Sequence, residues 1–177
     1  MMNSFKPMFR KDLWSKKTEK IKLLIMDVDG VMTDGGMYIT EKGDHIKKYN
    51  TKDGMAIQFL RKNGIEPGII SSGFFPEMVS QRAKMLGIEK CYIGREPKME
   101  ILQKFCTELG IQLDQVAIIG DDINDLDIIK AVGLSACPSD AVNMVKTHVD
   151  IILSKKGGEG CVREFIDNYL LMSPVQY

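Results

Sequence analysis

The chain has 177 residues, of which 44% are hydrophobic, and this suits one globular domain with its own core. Lys plus Arg equals Asp plus Glu at 24 each, which excludes a basic field for nucleic acid and favours a small-molecule partner. Four cysteines without a Cys-x-x-Cys pair argue against a zinc or disulfide framework, and no apolar run is long enough for a membrane span.

Residues 1–20 are predicted to form an N-terminal extension. They are rich in Lys and Arg, with four apolar residues at helix-like spacing: Phe5, Met8, Phe9 and Leu13. A loosely ordered tail or a helix docked on a neighbour is the simpler interpretation, and a helix on a membrane surface is the alternative. The segment lacks the apolar stretch of a signal peptide, so we expect a cytoplasmic protein.

From Ile21 onward, short apolar runs alternate with amphipathic stretches. The run IKLLIM predicts a buried strand, and residues 37–49 predict a hairpin with a polar, glycine-containing turn. Further strands are predicted to end at Ile70 and to span residues 91–93 and 116–119. Helices are predicted at residues 53–62, 76–86, 98–109, 123–132 and 159–171. This order predicts an α/β fold, in which a mostly parallel sheet carries helices on both faces and binds ligands at the carboxyl ends of its strands.

Two carboxylates follow the first predicted strand directly, in the motif Asp27-Val28-Asp29-Gly30. Both can point into one crevice if the chain turns at the strand end, and Gly30 permits such a turn. Acidic groups gathered there repel one another unless a cation lies among them. Oxygen ligands without a nearby His or Cys favour Mg²⁺.

A second acidic motif, Gly120-Asp121-Asp122-Ile123-Asn124-Asp125, follows the predicted strand VAII. Aspartate is a common helix N-cap, so this motif taken alone is explained equally well as local structure. Two acidic strand ends in one parallel sheet, however, meet at the same edge. Together they indicate a site rather than two caps.

Ser71-Ser72-Gly73 and Lys98 lie at two turns between the acidic motifs. Hydroxyls and backbone N–H groups at a strand-to-helix turn suit a phosphate, and a lysine supplies the countercharge. Taken singly, the serines are ordinary turn residues and Lys98 an ordinary surface lysine. Their position between the acidic motifs gives them a possible role in a phosphate site.

In this order and spacing, the four motifs resemble those of the haloacid dehalogenase superfamily of phosphotransferases. The resemblance runs from Ile21 to the C-terminus and implies a three-layer, Rossmann-like domain over residues 21–177. It implies a phosphatase, because dehalogenases of the superfamily lack an acid at the position of Asp29. It also implies Mg²⁺ as the cofactor, held by Asp27, the backbone carbonyl of Asp29, and Asp121.

The resemblance assigns a role to each catalytic residue. Asp27 is the expected nucleophile that forms an aspartyl-phosphate, and Asp29 the expected general acid and then base. Lys98 and a serine hydroxyl are expected to hold the phosphoryl oxygens. Three supporting residues are expected to orient Lys98 or waters: Asp122, Asn124 and Asp125.

The identity of that serine is left open by the sequence. Members of the superfamily often have Thr-Gly where this chain has Ser71-Ser72-Gly73. Counting forward from the preceding strand selects Ser71, whereas counting back from Arg82 selects Ser72.

The predicted elements leave no room for a separate cap domain, so a neighbouring subunit is expected to cover the crevice. This architecture, with the motifs TDGGMY, YNTKDG and GGEGCVREF, is similar to the capless branch that dephosphorylates 3-deoxy-manno-octulosonate 8-phosphate. In that branch the hairpin flap of one subunit helps to close the site of the next in a tetramer. The resemblance implies a phosphorylated sugar acid as the substrate and a place in lipopolysaccharide biosynthesis.

The resemblance to this branch also implies a substrate pocket, lined by Asn50, Thr51, Lys52, Asp53, Gly54, Gly73 and Arg82. Relatives that act on nonulosonate 9-phosphates remain an alternative. Octulosonate phosphatases tend to have Arg where this chain has Gln58 and Phe74. Because guanidinium groups match sugar-acid carboxylates, we expect the loss of both to change recognition.

Two other classes of function stay open. A non-catalytic domain for oligomerisation or assembly with a cytidylyltransferase should have lost Asp29, Asp121 or Lys98, yet this chain keeps them all. A receiver-like phosphoacceptor would also use a strand-end aspartate with Mg²⁺. The Asp-x-Asp spacing and the predicted hairpin argue against it.

Overall fold

The computed structural model describes residues 17–171, which form a central sheet, a small hairpin and six α-helices. The strands are β1 (Leu23–Met26), β2 (Tyr38–Ile39), β3 (His45–Ile46), β4 (Glu66–Ser71), β5 (Lys90–Ile93), β6 (Val116–Ile119), β7 (Leu134–Cys137) and β8 (Ile151–Ile152). Six of them form one parallel sheet in the order β5-β4-β1-β6-β7-β8. The other two, β2 and β3, pair antiparallel as a separate hairpin.

The helices are α1 (Thr51–Lys62), α2 (Pro76–Leu86), α3 (Lys98–Leu109), α4 (Leu126–Ala131), α5 (Asn143–Lys146) and α6 (Cys161–Phe165). Helix α1 begins before the predicted residue 53 because the Asn50 side chain accepts the Lys52 N–H and caps it. The helix predicted over residues 123–132 is instead a 3₁₀ turn, Ile123–Asp125, followed by α4.

Two apolar layers pack on opposite faces of the sheet, because successive strand residues point to opposite sides. On β1, Leu24 and Met26 join the layer that includes α1, α2 and α6. Leu23 and Ile25 join the layer that includes α3, α4 and α5. The predicted three-layer α/β fold is therefore confirmed, and the main sheet is parallel in every described pair.

Only short segments interrupt this domain within residues 17–171. The hairpin and α1 connect β1 to β4, and α2 and β5 fill the chain between Ser71 and α3. No separate cap domain is present in this part of the chain, as the sequence predicts. None of its helices is long and apolar enough to cross a membrane.

The predicted N-terminal extension lies outside the described residues as far as residue 16. Near the domain, the Lys17 ammonium lies 2.8 Å from Asp150, and Thr18 is buried. The boundary at residue 20 stays a prediction.

Candidate active site

The site forms where the central strand ends. Met26 pairs with Ile69 on β4 and with Ile119 on β6, so the residues that follow these three strands emerge side by side. The Asp27 amide extends this pairing by donating to the Ile119 carbonyl at 3.1 Å. Carboxyl ends of parallel strands are the usual place for a ligand in such sheets.

A cleft of about 320 Å³ opens at this edge. It brings together eight of the residues selected from the sequence: Asp27, Asp29, Ser71, Ser72, Gly73, Asp121, Asp122 and Asn124. Lys98 and Asp125 lie buried behind its floor, where the Lys98 ammonium contacts both Asp27 and Asp125.

Two glycines let the acidic motifs approach each other. Gly30 has a φ of +88°, and a Cβ on it would lie 2.1 Å from Asp121 Oδ2. A Cβ on Gly120 would lie 2.6 Å from Asp125 Oδ2. Any side chain at either position would push a carboxylate out of the cluster.

Lys98 bridges two of the buried carboxylates. Its ammonium lies 2.6 Å from Asp125 Oδ1 and 3.2 Å from Asp27 Oδ1. Asp125 is itself fixed, because its Oδ2 accepts the N–H groups of Asp121 at 3.1 Å and Asp122 at 3.5 Å. Asp125 therefore holds the ammonium beside Asp27, and its supporting role stays a prediction. Asp122 instead accepts the N–H of Ile123 and caps the 3₁₀ turn.

Burial and mutual repulsion raise the pKa values of the carboxylates around this lysine. Burial is the main cause that raises the pKa of Asp27 to about 6, with repulsion from Asp125 added and attraction to Lys98 opposing it. Burial also raises the pKa of Asp121 to about 8, reinforced by the charges of Asp27, Asp125 and Asp122. One buried cation is thus too little for the negative charge gathered here.

The carboxylates fit a divalent metal ion. Oxygens of Asp27, Asp121 and Asp125 lie within 4.8 Å of one another. Among the described residues, the buried Asp27 Oδ1 has the ion pair with Lys98 but no hydrogen bond, and the buried Asp121 Oδ1 has no hydrogen bond, whereas both Asp125 oxygens are engaged. Oxygen ligands of this kind suit Mg²⁺, and Asp27 and Asp121 are the carboxylates left to hold it. The backbone carbonyl of Asp29 stays a predicted ligand.

Asp29 lies at the more open side of the cleft and pairs with a residue that sequence reasoning missed. Its Oδ1 forms an ion pair with Lys47, one residue beyond β3. The Thr33 hydroxyl lies 3.5 Å from the same oxygen. A signal for Lys47 was present, since strand alternation puts it on the same face as His45, which also lines the cleft.

The two candidate serines differ in their surroundings. Ser71 is the last residue of β4 and is buried, and its Oγ accepts the Gly73 N–H at 3.2 Å. Ser72 is exposed beyond the end of the strand. Both line the cleft, but only Ser71 is fixed by the sheet.

Six residues predicted to bind substrate do not line this cleft: Asn50, Thr51, Lys52, Asp53, Gly54 and Arg82. Several have structural partners instead. Asp53 is buried and accepts the Arg163 N–H at 2.7 Å, and burial raises its pKa to about 6. Arg82 donates to the Asn50 carbonyl at 3.5 Å, and a Cβ on Gly54 would clash with its guanidinium. Their role in substrate binding stays a prediction.

Aromatic residues form one wall of the cleft. The sequence indicated only that Phe74 departs from the residue usual in the octulosonate branch. The rings of Phe75 and His45 lie 3.8 Å apart, centroid to centroid. Phe75 has a φ of +66° and stands directly before α2. Phe74 is 65% exposed, and the Arg95 guanidinium lies 5.6 Å from its ring.

Comparisons with known proteins agree with this site. Residues 43–133 match the family of haloacid dehalogenase-like hydrolases. A 3-deoxy-D-manno-octulosonate 8-phosphate phosphatase of Yersinia pestis is 37% identical over 156 residues, which cover 88% of this chain and 83% of that protein. The chain belongs to the haloacid dehalogenase-like hydrolase family.

Solved structures of this hydrolase family match the whole fold. A Yersinia pestis octulosonate 8-phosphate phosphatase has a TM-score of 0.86 and 36% identity, covering 90% of this chain and 86% of that one. The corresponding Moraxella catarrhalis enzyme, in complex with a magnesium ion, a phosphate ion and KDO, has a TM-score of 0.86 and 33% identity. It covers 92% of both chains.

These relatives confirm two predictions. The chain is a phosphatase of the haloacid dehalogenase-like family, as its relatives indicate. Phosphatases of this family use Mg²⁺, and the acidic cluster at Asp27 and Asp121 fits that ion.

Mg²⁺ is expected to stabilise the fold through Asp121. Metal at about a hundred times its dissociation constant should raise the Tm by roughly 5–10 °C relative to protein in EDTA. In EDTA, stability should fall as the pH rises from about 4 to about 8, because the folded state holds a proton on Asp121 that the unfolded state has released. Calorimetry across this range measures both effects.

Asp121→Asn should weaken the pH dependence and abolish most of the Mg²⁺-induced shift. Asp127→Asn, at an exposed position of α4, is the matched control and should keep the full shift. Equal Mg²⁺-induced shifts in both variants would contradict the assignment of Asp121 to the metal.

Proposed function

We propose that the chain hydrolyses 3-deoxy-D-manno-octulosonate 8-phosphate, or a closely related phosphorylated sugar acid, through an aspartyl-phosphate on Asp27. The observation that carries the mechanism is the buried Asp27 carboxylate, 3.2 Å from Lys98 at the floor of the cleft. The choice of substrate is supported by octulosonate 8-phosphate phosphatases that match this chain over most of its length.

Asp27 acts as the nucleophile in this proposal. One of its carboxylate oxygens attacks phosphorus while the bond from phosphorus to the bridging ester oxygen breaks, which leaves an acyl phosphate. Lys98 and the Ser71 hydroxyl hold the phosphoryl oxygens from the floor and from the end of β4. Bound Mg²⁺ supplies further positive charge against these oxygens in the transition state.

Asp29 acts as the acid and then the base. It gives its proton to the leaving alcohol, and it takes a proton back from the water that attacks the acyl phosphate. The products are the free sugar acid and orthophosphate, and Asp27 is regenerated. Because Asp29 must be protonated at the start, Lys47 has to leave its carboxylate for another acceptor, and an incoming phosphoryl oxygen is a suitable one.

A neighbouring subunit covers the cleft in this proposal. The hairpin that flanks the cleft exposes large apolar side chains, with 76% of Met37, 55% of Ile39 and 55% of Ile46 accessible. Apolar surface of this kind is typical of a protein contact. A second copy that buries the hairpin would also exclude water from an acyl phosphate in a site without a cap.

Asp27→Asn should abolish phosphate release, because the amide is a poor nucleophile.

To identify the substrate, wild-type protein with Mg²⁺ is assayed on octulosonate 8-phosphate, nonulosonate 9-phosphate, simple sugar phosphates and p-nitrophenyl phosphate. We expect the highest kcat/KM for octulosonate 8-phosphate. A higher value for the nonulosonate would move the substrate to that alternative, and no release from any ester would favour the non-catalytic assembly domain.

Ser71→Ala should lower kcat on p-nitrophenyl phosphate by about tenfold to a hundredfold, because it removes a donor to the transferring phosphoryl group. Ser72→Ala is the matched control, since it deletes the same hydroxyl one residue away, and it should change kcat less than twofold. Steady-state kinetics decide between them. A larger loss in the Ser72 variant would assign the phosphate to Ser72.

Replacing Met37 and Ile39 together by Ser should break the assembly. Wild-type protein is expected to have the mass of a tetramer in size-exclusion chromatography with light scattering, and the double variant a smaller mass. Met144→Ser, at an exposed position of α5, should leave the mass unchanged. A monomeric wild type at micromolar concentration would refute the shared site.

A further inference from the structure

The mouth of the cleft lacks a free cation for a sugar-acid carboxylate. Among the described residues that line the cleft, the only Lys or Arg is Lys47, whose ammonium is paired with Asp29 and turns to the phosphoryl group in the proposed mechanism. Lys98 is buried behind the floor and serves Asp27 and Asp125. Four aspartates line the same cleft, so an incoming carboxylate meets a surplus of negative charge.

Arg95 stands at the same edge of the sheet. It lies two residues past the end of β5, and the Gly94 N–H next to it donates to the Ser71 carbonyl at 3.0 Å. Three residues later the chain reaches Lys98. The segment that carries Arg95 is therefore fixed on both sides by residues of the site.

The Arg95 side chain is exposed, and within residues 17–171 it makes no ion pair. Its guanidinium lies 5.6 Å from the ring of Phe74, which lines the cleft. Such a cation–π contact orients a guanidinium and leaves its N–H groups free in the plane. The guanidinium is thus held beside the mouth, and no described residue accepts a hydrogen bond from it.

We propose that Arg95, oriented by Phe74, is a specificity-determining residue that binds the substrate carboxylate at the mouth of the cleft. This inference rests on the proposed function and identifies the Arg95 guanidinium as the group that recognises the carboxylate of its substrate. In an octulosonate 8-phosphate the carboxylate is at the opposite end of the carbon chain from the phosphate. A phosphate at Asp27 therefore directs the carboxylate outward, toward the aromatic wall.

The proposal also gives Phe74 a purpose. The resemblance to octulosonate phosphatases implies Arg at the position of Phe74. Here the ring at that position holds a guanidinium supplied from the next loop. The cation is kept at the mouth, although a different residue carries it.

Arg95→Ala tests the proposal through the split between KM and kcat. For octulosonate 8-phosphate, KM should rise on the order of tenfold with kcat nearly unchanged, because a charge-assisted contact far from the reacting atoms is lost. For p-nitrophenyl phosphate, which has no carboxylate, both constants should stay the same. Free octulosonate should also inhibit p-nitrophenyl phosphate hydrolysis about tenfold less well in the variant.

Three further variants sharpen the test. Arg95→Lys should raise KM less than Arg95→Ala does, because lysine keeps the charge but loses the bidentate fork. Phe74→Ala should raise KM less than Arg95→Ala does, because it only frees the guanidinium. Lys130→Ala removes a positive charge from the last turn of α4 and should leave KM and kcat unchanged for both substrates.

Two results would overturn the proposal while leaving the proposed function intact: an unchanged KM in Arg95→Ala, or an equal rise for both substrates. If wild-type protein prefers a nonulosonate 9-phosphate, the same comparison is made with that acid. A wild type that hydrolyses only esters without a carboxylate would overturn both the proposed substrate and the role of Arg95.

Discussion

The interaction on which the site depends is the contact of buried Lys98 with Asp27 and Asp125. Carboxylates taken out of water are costly unless a counter-charge and hydrogen bonds compensate them. Lys98 supplies one positive charge, and backbone N–H groups satisfy the second oxygen of Asp125. Because this one ammonium is shared, Asp27 is only partly compensated, and Asp121 has no ion pair among the described residues. That deficit makes the floor of the cleft a binding site for a metal ion and then for a phosphoryl group.

The fold supplies this arrangement at the ends of adjacent strands. Asp27 and Asp121 follow β1 and β6, which are hydrogen-bonded neighbours. Gly30, three residues after Asp27, and Gly120, directly before Asp121, leave room for the carboxylates of Asp121 and Asp125. The strands themselves are buried on both faces, so their apolar packing sets the positions of the charged residues that follow. Stability and chemistry are thus divided between the strands and the turns. The turns bear the electrostatic cost, and the two core layers offset it.

This division explains what the sequence predicts well. The apolar strands, their glycine turns and the acidic motifs can be read directly, because parallel pairing brings successive strand ends to one edge. Lys47 was missed because it follows a two-residue strand, and the position of so short a hairpin over the cleft depends on tertiary contacts. Asn50 and Arg82 were selected by resemblance alone. In this structure the Asn50 side chain accepts the Lys52 N–H and donates to the Gly158 carbonyl, and Arg82 donates to the Asn50 carbonyl. Neither residue follows a strand of the main sheet, so strand pairing gave no independent reason to place them in the cleft.

The floor and the mouth of the cleft differ in how exactly their charged residues must be placed. At the floor, a displaced carboxylate would lose both the lysine and the metal position, so little change of sequence is compatible with the reaction. At the mouth, a carboxylate needs only a cation within reach, and loops on either side can supply it. In the proposed site that cation is Arg95, in the loop after β5, and the exposed ring of Phe74 lies beside its guanidinium and can orient it.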